Sequence, residues 1–232
     1  MSGQHLSKQV AELETWDHHW NTLAARRSIF ARVAQFVRRQ ILSRAVRHYT
    51  GKYFGSQGLF VECGCGTAQS SLRIKRGRRH LVAVDFSAAA LAEARSVTSF
   101  RSLLQADIRF LPIGNDSVSG IWNLGVMEHF DRRGVAEILT EFRRVLAPGG
   151  VVVLFWPPSF GSSRWVLAPI EWMIRTRTGR EFRFFPDEVT RLRSKDHAAE
   201  ILGEVDLEAL AIDFTPRDLF IHLVVVARKP TR

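Results

Sequence analysis

From Leu59 onward the chain alternates between two hydrophobic patterns. Short apolar runs at Leu59–Cys63, Leu81–Val84, Leu103–Ala106, Gly120–Leu124 and Val151–Phe155 predict strands. Between them lie segments of helical character. These are Thr67–Ile74, Ser87–Arg95 with Ser87 as N-cap, and Val135–Leu146, where Val135, Ile138, Leu139, Phe142 and Leu146 share one face. Pro148-Gly149-Gly150 ends that last helix. The rhythm then changes: 157–183 is long, Asp187–Leu202 reads as helix, and Leu207–Phe214 and Phe220–Ala227 read as two closing strands. Strands alternating with helices in this way build a parallel sheet covered on both faces.

Upstream, a polar lead-in to about Trp20 precedes Ile29, Phe30, Val33, Phe36, Val37, Ile41, Leu42 and Val46, which recur at helical spacing with arginines between them. Thr50–Gly58 carries three glycines and breaks this amphipathic basic helix. The division expected is therefore a basic helical extension over 1–57 and one α/β domain over 58–232.

Charge sharpens the picture of the extension. The 232 residues carry a net charge of +10, with no acidic residue between His18 and Val61 and a second basic cluster at Arg73, Lys75, Arg76, Arg78 and Arg79. Such asymmetry marks either a solvated basic face or an anionic neighbour: nucleic acid, a membrane surface or an acidic substrate. An arginine-rich amphipathic helix also fits transient contact with an anionic membrane. The 46% apolar fraction is that of a globular chain. No secretory signal is evident, and the apolar segment 165–174 is short and contains Glu171, so a cytoplasmic protein is expected, peripheral at most to the inner membrane face. Cys63 and Cys65, one residue apart, read as small buried residues. His18 and His19 lack a further ligand, so no metal is expected.

The candidate chemistry centres on Glu62-Cys63-Gly64-Cys65-Gly66-Thr67, directly after a predicted strand. Gly64 and Gly66 allow a sharp turn and close approach of a ligand, and the helix expected after it offers free amides. Asp85 follows nineteen residues after Gly66 at the end of the next strand, where a carboxylate meets ribose hydroxyls. A dinucleotide fingerprint wants a third glycine where Gln69 stands. Glu62 would repel a pyrophosphate but suits an ammonium group. The ligand expected is thus a nucleoside carrying an amino acid rather than NAD.

These residues resemble motif I of class I S-adenosylmethionine-dependent methyltransferases, and the similarity runs from about Gly58 to Phe155. The resemblance implies a Rossmann-like three-layer sandwich with a mostly parallel seven-stranded sheet and an antiparallel strand near the C-terminus. It implies S-adenosyl-L-methionine as cofactor, with Glu62, Gly64, Cys65 and Gly66 around its methionine part and Asp85 and Phe86 at the ribose. Asp107 and Ile108 would border adenine, with Asp107 reaching its exocyclic amine. Asn123 and Leu124, opening the segment Asn123–His129, would lie at the fourth-strand exit beside the sulfonium. Leu146–Gly150 resembles the turn before strand five, and Phe185–Glu188 and Asp218–Pro230 are similar to bacterial members. Three positions depart from the pattern: Ala68 for a third glycine, Ser119-Gly120 for the aspartate entering strand four, and Trp122, which is either core or cofactor wall.

The resemblance implies methyl transfer to a small-molecule or lipid-like acceptor. Glu128 faces the cofactor or holds the acceptor. His129 is the candidate general base, with a local structural role as its alternative. Trp165 and Trp172 would wall a substrate lid at 157–185. Two other classes compete: a nucleic-acid methyltransferase, favoured by charge but without a recognisable RNA-binding module, and a non-catalytic cofactor-binding partner protein.

Overall fold

The computed structural model describes residues 35–97, 99–162, 176 and 189–231. Two compact units divide the chain, Met1–Pro112 and Ile113–Arg232.

In the first unit β1 (Gln57–Cys63), β2 (Arg78–Asp85) and β3 (Ser102–Gln105) are parallel, in the order β3-β2-β1. Phe60, Val61, Cys63, Leu81, Ala83 and Val84 are buried, which explains why these strands read as continuous apolar runs. Helix α1 (Ser43–Tyr53) is entered through a π-helical stretch, Val37–Leu42, and runs through Gly51 rather than stopping at Thr50. Its packed face is Leu42, Ala45, Val46 and Tyr49, whereas Phe36, expected on the apolar stripe, is 61% exposed. Residues 29–33 of that stripe lie outside the described residues. Helix α2 (Ala88–Ala94) begins as expected, with the Ser87 hydroxyl accepting from Ala90 N–H at 3.2 Å.

Part of the basic cluster is structural. The Arg79 guanidinium donates to the carbonyls of Gly55 (2.7 Å), Phe54 (3.1 Å) and Thr50 (3.4 Å). It thus adds donors to carbonyls at and just beyond the end of α1, and its cation sits at the negative end of the helix dipole. It also lies 5.4 Å from the centre of the Phe60 ring. Arg73 reaches Gln40 Oε1 at 2.7 Å.

The helix expected over Thr67–Ile74 does not form. A single 3-10 turn, Gln69–Ser71, stands there, because Ala68 adopts φ 54°, a left-handed conformation no helix can propagate through.

In the second unit the order is β4-β5-β7-β6, with β4 (Val118–Leu124) parallel to β5 (Leu146–Trp156), and β7 (Leu223–Arg228) antiparallel to both β5 and β6 (Glu208–Phe214). The complete order, β3-β2-β1-β4-β5-β7-β6, makes a seven-stranded mixed sheet of the Rossmann-like class, as the resemblance implied. Helix α3 (Arg132–Val145) buries Val135, Ile138, Leu139 and Phe142 and is capped by Asp131, whose carboxylate accepts from Gly134 N–H at 2.8 Å. The helix ends at Val145 and the strand begins at once with Leu146; Pro148-Gly149-Gly150 is an irregularity inside β5 rather than a connecting turn. A Cβ on Gly150 would stand 2.8 Å from the Ala147 carbonyl oxygen, which only glycine avoids. Helix α4 (Lys195–Gly203) starts at the Ser194 cap; of the helix expected from Asp187, residues 187 and 188 lie outside the described residues, and the N–H groups of Val189, Thr190 and Leu192 go instead to the Glu128 and Pro157 carbonyls. Among the described residues no helix is long and apolar enough to cross a membrane.

Candidate functional site

In the first unit, β1 and β2 deliver Glu62 and Asp85 to the glycine turn. Glu62 is buried and accepts from the Ser70 hydroxyl at 3.4 Å. Gly64 and Gly66 have φ of 71° and 51°, so the left-handed conformation recurs at 64, 66 and 68. The N–H groups of Gly64 and Cys65 both donate to the Val84 carbonyl, at 2.8 and 3.0 Å, and Ala68 N–H donates to the Cys65 carbonyl at 2.8 Å. Gly66 N–H donates to Asp85 Oδ2 at 2.7 Å, while Ser87 N–H donates to Asp85 Oδ1 at 2.9 Å.

This changes the expected role of the turn. With no α-helix following and the amides of Gly64, Cys65, Gly66 and Ala68 turned into the protein, the turn is no anion cradle. A pyrophosphate would meet a buried carboxylate and committed donors. A cationic ammonium suits Glu62. Asp85 Oδ2 is tied to the turn through Gly66 N–H and Oδ1 to the start of α2 through Ser87 N–H, at the strand end where ribose hydroxyls are expected. Cys63 and Cys65 are buried as expected, and burial, with Glu62 and Asp85 nearby, pushes the Cys65 thiol well up, so it stays protonated.

Asp107 and Ile108 follow β3. Ile108 is buried. Both Asp107 oxygens are held by Arg109, Nε at 3.0 Å from each and Nη2 at 2.8 Å from Oδ2, with Arg109 N–H adding a 2.9 Å bond. The sequence reading missed this clamp, although the Asp-x-Arg spacing was its signal. The carbonyl of Phe86 accepts from Gln105 Nε2 at 3.1 Å.

In the second unit β4 ends on Asn123 and Leu124, followed by Gly125 at φ 70°, whose N–H donates to the Phe155 carbonyl at 3.1 Å. Asn123 is fully buried, and neither its Oδ1 nor its Nδ2 meets a hydrogen-bond partner among the described residues. Trp122 is fully buried, which decides for core. Glu128 is buried, and its backbone carbonyl accepts from the N–H groups of Val189 (2.6 Å) and Thr190 (3.0 Å). Its Oε1 lies 3.9 Å from His129 Nε2. Burial lowers the His129 pKa from 6.5 to about 4, so the imidazole is neutral at physiological pH. A second pair went unnoticed in the sequence: buried His222 donates its N–H to Asp218 Oδ2 at 2.9 Å and sets Nδ1 3.0 Å from the same oxygen. Trp165, Trp172 and Phe185–Glu188 lie outside the described residues. Among the described residues no cluster of His, Cys, Asp and Glu has the makings of a metal site.

Residues 60–150 match the methyltransferase domain family. Malonyl-[acyl-carrier protein] O-methyltransferase of Pectobacterium atrosepticum is 27% identical over 144 residues, covering 62% of this chain and 55% of that protein. The protein of the same name from Erwinia pyrifoliae is 31% identical over 126 residues, covering 54% and 47%. The chain therefore spans about half the length of the curated relatives it matches. Magnesium protoporphyrin IX methyltransferase from Synechocystis PCC 6803, solved with bound SAH, superposes with a TM-score of 0.67 over 95% of this chain and 99% of that one at 12% identity, a likeness of fold. The matched segment, with its glycine turn and strand order, belongs to the class I S-adenosylmethionine-dependent methyltransferases, whose cofactor is S-adenosyl-L-methionine.

Proposed function

We propose that the protein transfers a methyl group from S-adenosylmethionine to a small-molecule or lipid-like acceptor. The observation that carries this reading is the glycine turn: its amides are spent on Val84, Cys65 and Asp85, and a buried glutamate stands beside it. That chemistry refuses a pyrophosphate and accepts an amino acid joined to a nucleoside. Glu62 meets the ammonium group, Gly64, Cys65 and Gly66 line the methionine part, Asp85 and Phe86 meet the ribose, and Ile108 packs against the adenine. Asp107, held by Arg109, borders the adenine amine.

The bound cofactor supplies a methyl group already activated on a cationic sulfur. What remains for the chain is to hold the acceptor in line, and orientation alone contributes on the order of 7–11 kcal/mol at best. Asn123 and Leu124, at the end of β4, meet the sulfonium side of the cofactor, with Glu128 holding the acceptor. His129, neutral with a pKa of about 4, has the right protonation state to take a proton but little driving force for it. An acceptor that arrives already ionised needs no base, so the low pKa of His129 favours such an acceptor and leaves His129 a hydrogen-bonding role beside it.

Labelled-methyl transfer into a cell extract, fractionated into lipid, small-molecule and nucleic-acid pools, tests the reading. Label in the lipid or small-molecule pool is the expected result, and label in nucleic acid alone would contradict it.

A further inference from the structure

Within the second unit, a cavity of about 200 Å³ opens between the start of α3, residues 189–193 and α4. Its polar lining is Arg132, Arg191, Arg193, His197, Glu204 and Thr190, three guanidinium groups against one carboxylate among the described residues. Glu204 is already paired with Arg132. The Thr190 hydroxyl is committed to the Phe130 carbonyl at 2.5 Å. His197 Nδ1 accepts from Arg193 N–H at 3.3 Å, so a neutral ring carries its proton on Nε2 and presents a donor. Burial, and then Arg193, lower the His197 pKa against the opposing pull of Glu200 and Glu204, with Arg132 adding to the lowering. Arg132 and Val135 bring the first turn of α3, a positive dipole end, to the cavity, while α4 lines it along its length from His197 to Glu204. Val135 and Ile201 add an apolar wall.

We propose that this cavity binds a phosphate ester on a short apolar stem. The groups offered are donors from three separate chain segments, and the carboxylate present is spent on Arg132. A tetrahedral, acceptor-only dianion uses such an arrangement, and guanidinium forks match phosphate oxygens. The volume admits a phosphate group and a few carbons. The wall formed by residues 189 and 190 is hydrogen-bonded to the Glu128 carbonyl, so an occupant that fixes this segment also fixes the turn after β4. Phosphate binding itself is independent of the methyl-transfer reading.

The test is calorimetry of the full chain with glycerol 3-phosphate, alongside flotation with phosphatidylcholine vesicles with and without phosphatidic acid. Saturable one-to-one binding is expected, weakened about tenfold or more in Arg191→Gln/Arg193→Gln, since charge-assisted bonds are lost. Arg191 also donates to the Pro158 carbonyl at 3.3 Å, so Arg193→Gln alone is the second variant, and unchanged S-adenosylmethionine affinity certifies its fold. Phosphatidic-acid-dependent flotation that the same variants abolish assigns the phosphate to a lipid headgroup, and binding of the soluble ester alone assigns it to a free metabolite. No saturable binding of either probe, or equal binding by folded variants, overturns the proposal.

Discussion

Replacing Asp85 by asparagine separates two jobs that the ribose reading alone would merge. Asp85 Oδ2 accepts from Gly66 N–H at 2.7 Å and Oδ1 from Ser87 N–H at 2.9 Å, so the carboxylate ties the glycine turn to the cap of α2 before any ligand arrives. Asparagine keeps one oxygen and turns the other position into a donor, which then faces a backbone N–H. One charge-assisted bond is lost, costing about 1.5–3 kcal/mol, and an orphaned buried amide adds about 1–3 kcal/mol. Relief from burying a charge at a site 8% exposed offsets part of this, leaving a net loss of about 2–4 kcal/mol. A chain of this size shifts its Tm by about 2–4 °C per kcal/mol, so ligand-free Asp85→Asn is expected to melt roughly 5–15 °C below the parent by circular dichroism. S-adenosylmethionine affinity falls as well. A ligand-free Tm within about 1 °C of the parent would refute the structural half of the argument and leave Asp85 as a ribose acceptor only.

Arg79→Ala removes three carbonyl contacts and the stacking on Phe60, and is expected to destabilise the ligand-free protein by about 2–3 kcal/mol in urea unfolding; a loss under about 0.5 kcal/mol would return Arg79 to the solvated surface. Asn123→Leu swaps a buried amide that meets no hydrogen-bond partner among the described residues for a side chain of similar size, so stability should rise by about 1–3 kcal/mol while methyl transfer falls; a lower Tm with transfer intact would show the amide to be partnered. His129, with a pKa lowered from 6.5 to about 4, resists protonation in the folded state, so the unfolded chain binds more protons between these values. Its contribution is fully present above pH 6.5 and is lost as pH falls towards 4, up to about 3 kcal/mol; His129→Gln should flatten that part of the stability profile, and an unchanged profile would exclude it.

The strand ends that carry Glu62, Asp85 and Asn123 were legible because each closes an apolar run before glycine or a capping serine. So was the start of α2, since Ser87 is its own signal. Three features were not legible, each because a tertiary contact overrides a local pattern. Residues 67–74 have helical composition, but Ala68 in the left-handed region serves the turn instead. Residues 189–194 look helical until the Glu128 carbonyl takes the N–H groups of Val189 and Thr190. The cluster from Arg73 to Arg79 reads as basic surface, yet Arg79 spends its guanidinium group on the carbonyls of Gly55, Phe54 and Thr50. Charge counted along a sequence does not distinguish a cap or a clamp from a surface. The candidate residues themselves were read from motif spacing, while their partners, which decide that the turn rejects phosphate, came only from the backbone geometry.

The central claim is that the Glu62–Thr67 turn with Asp85 holds S-adenosylmethionine rather than a dinucleotide. Calorimetry of the full chain with S-adenosylmethionine, its demethylated product and NAD tests it most directly. One-to-one binding of the first two, with no heat of binding for NAD, is the predicted result. Binding of NAD more tightly than S-adenosylmethionine would contradict it.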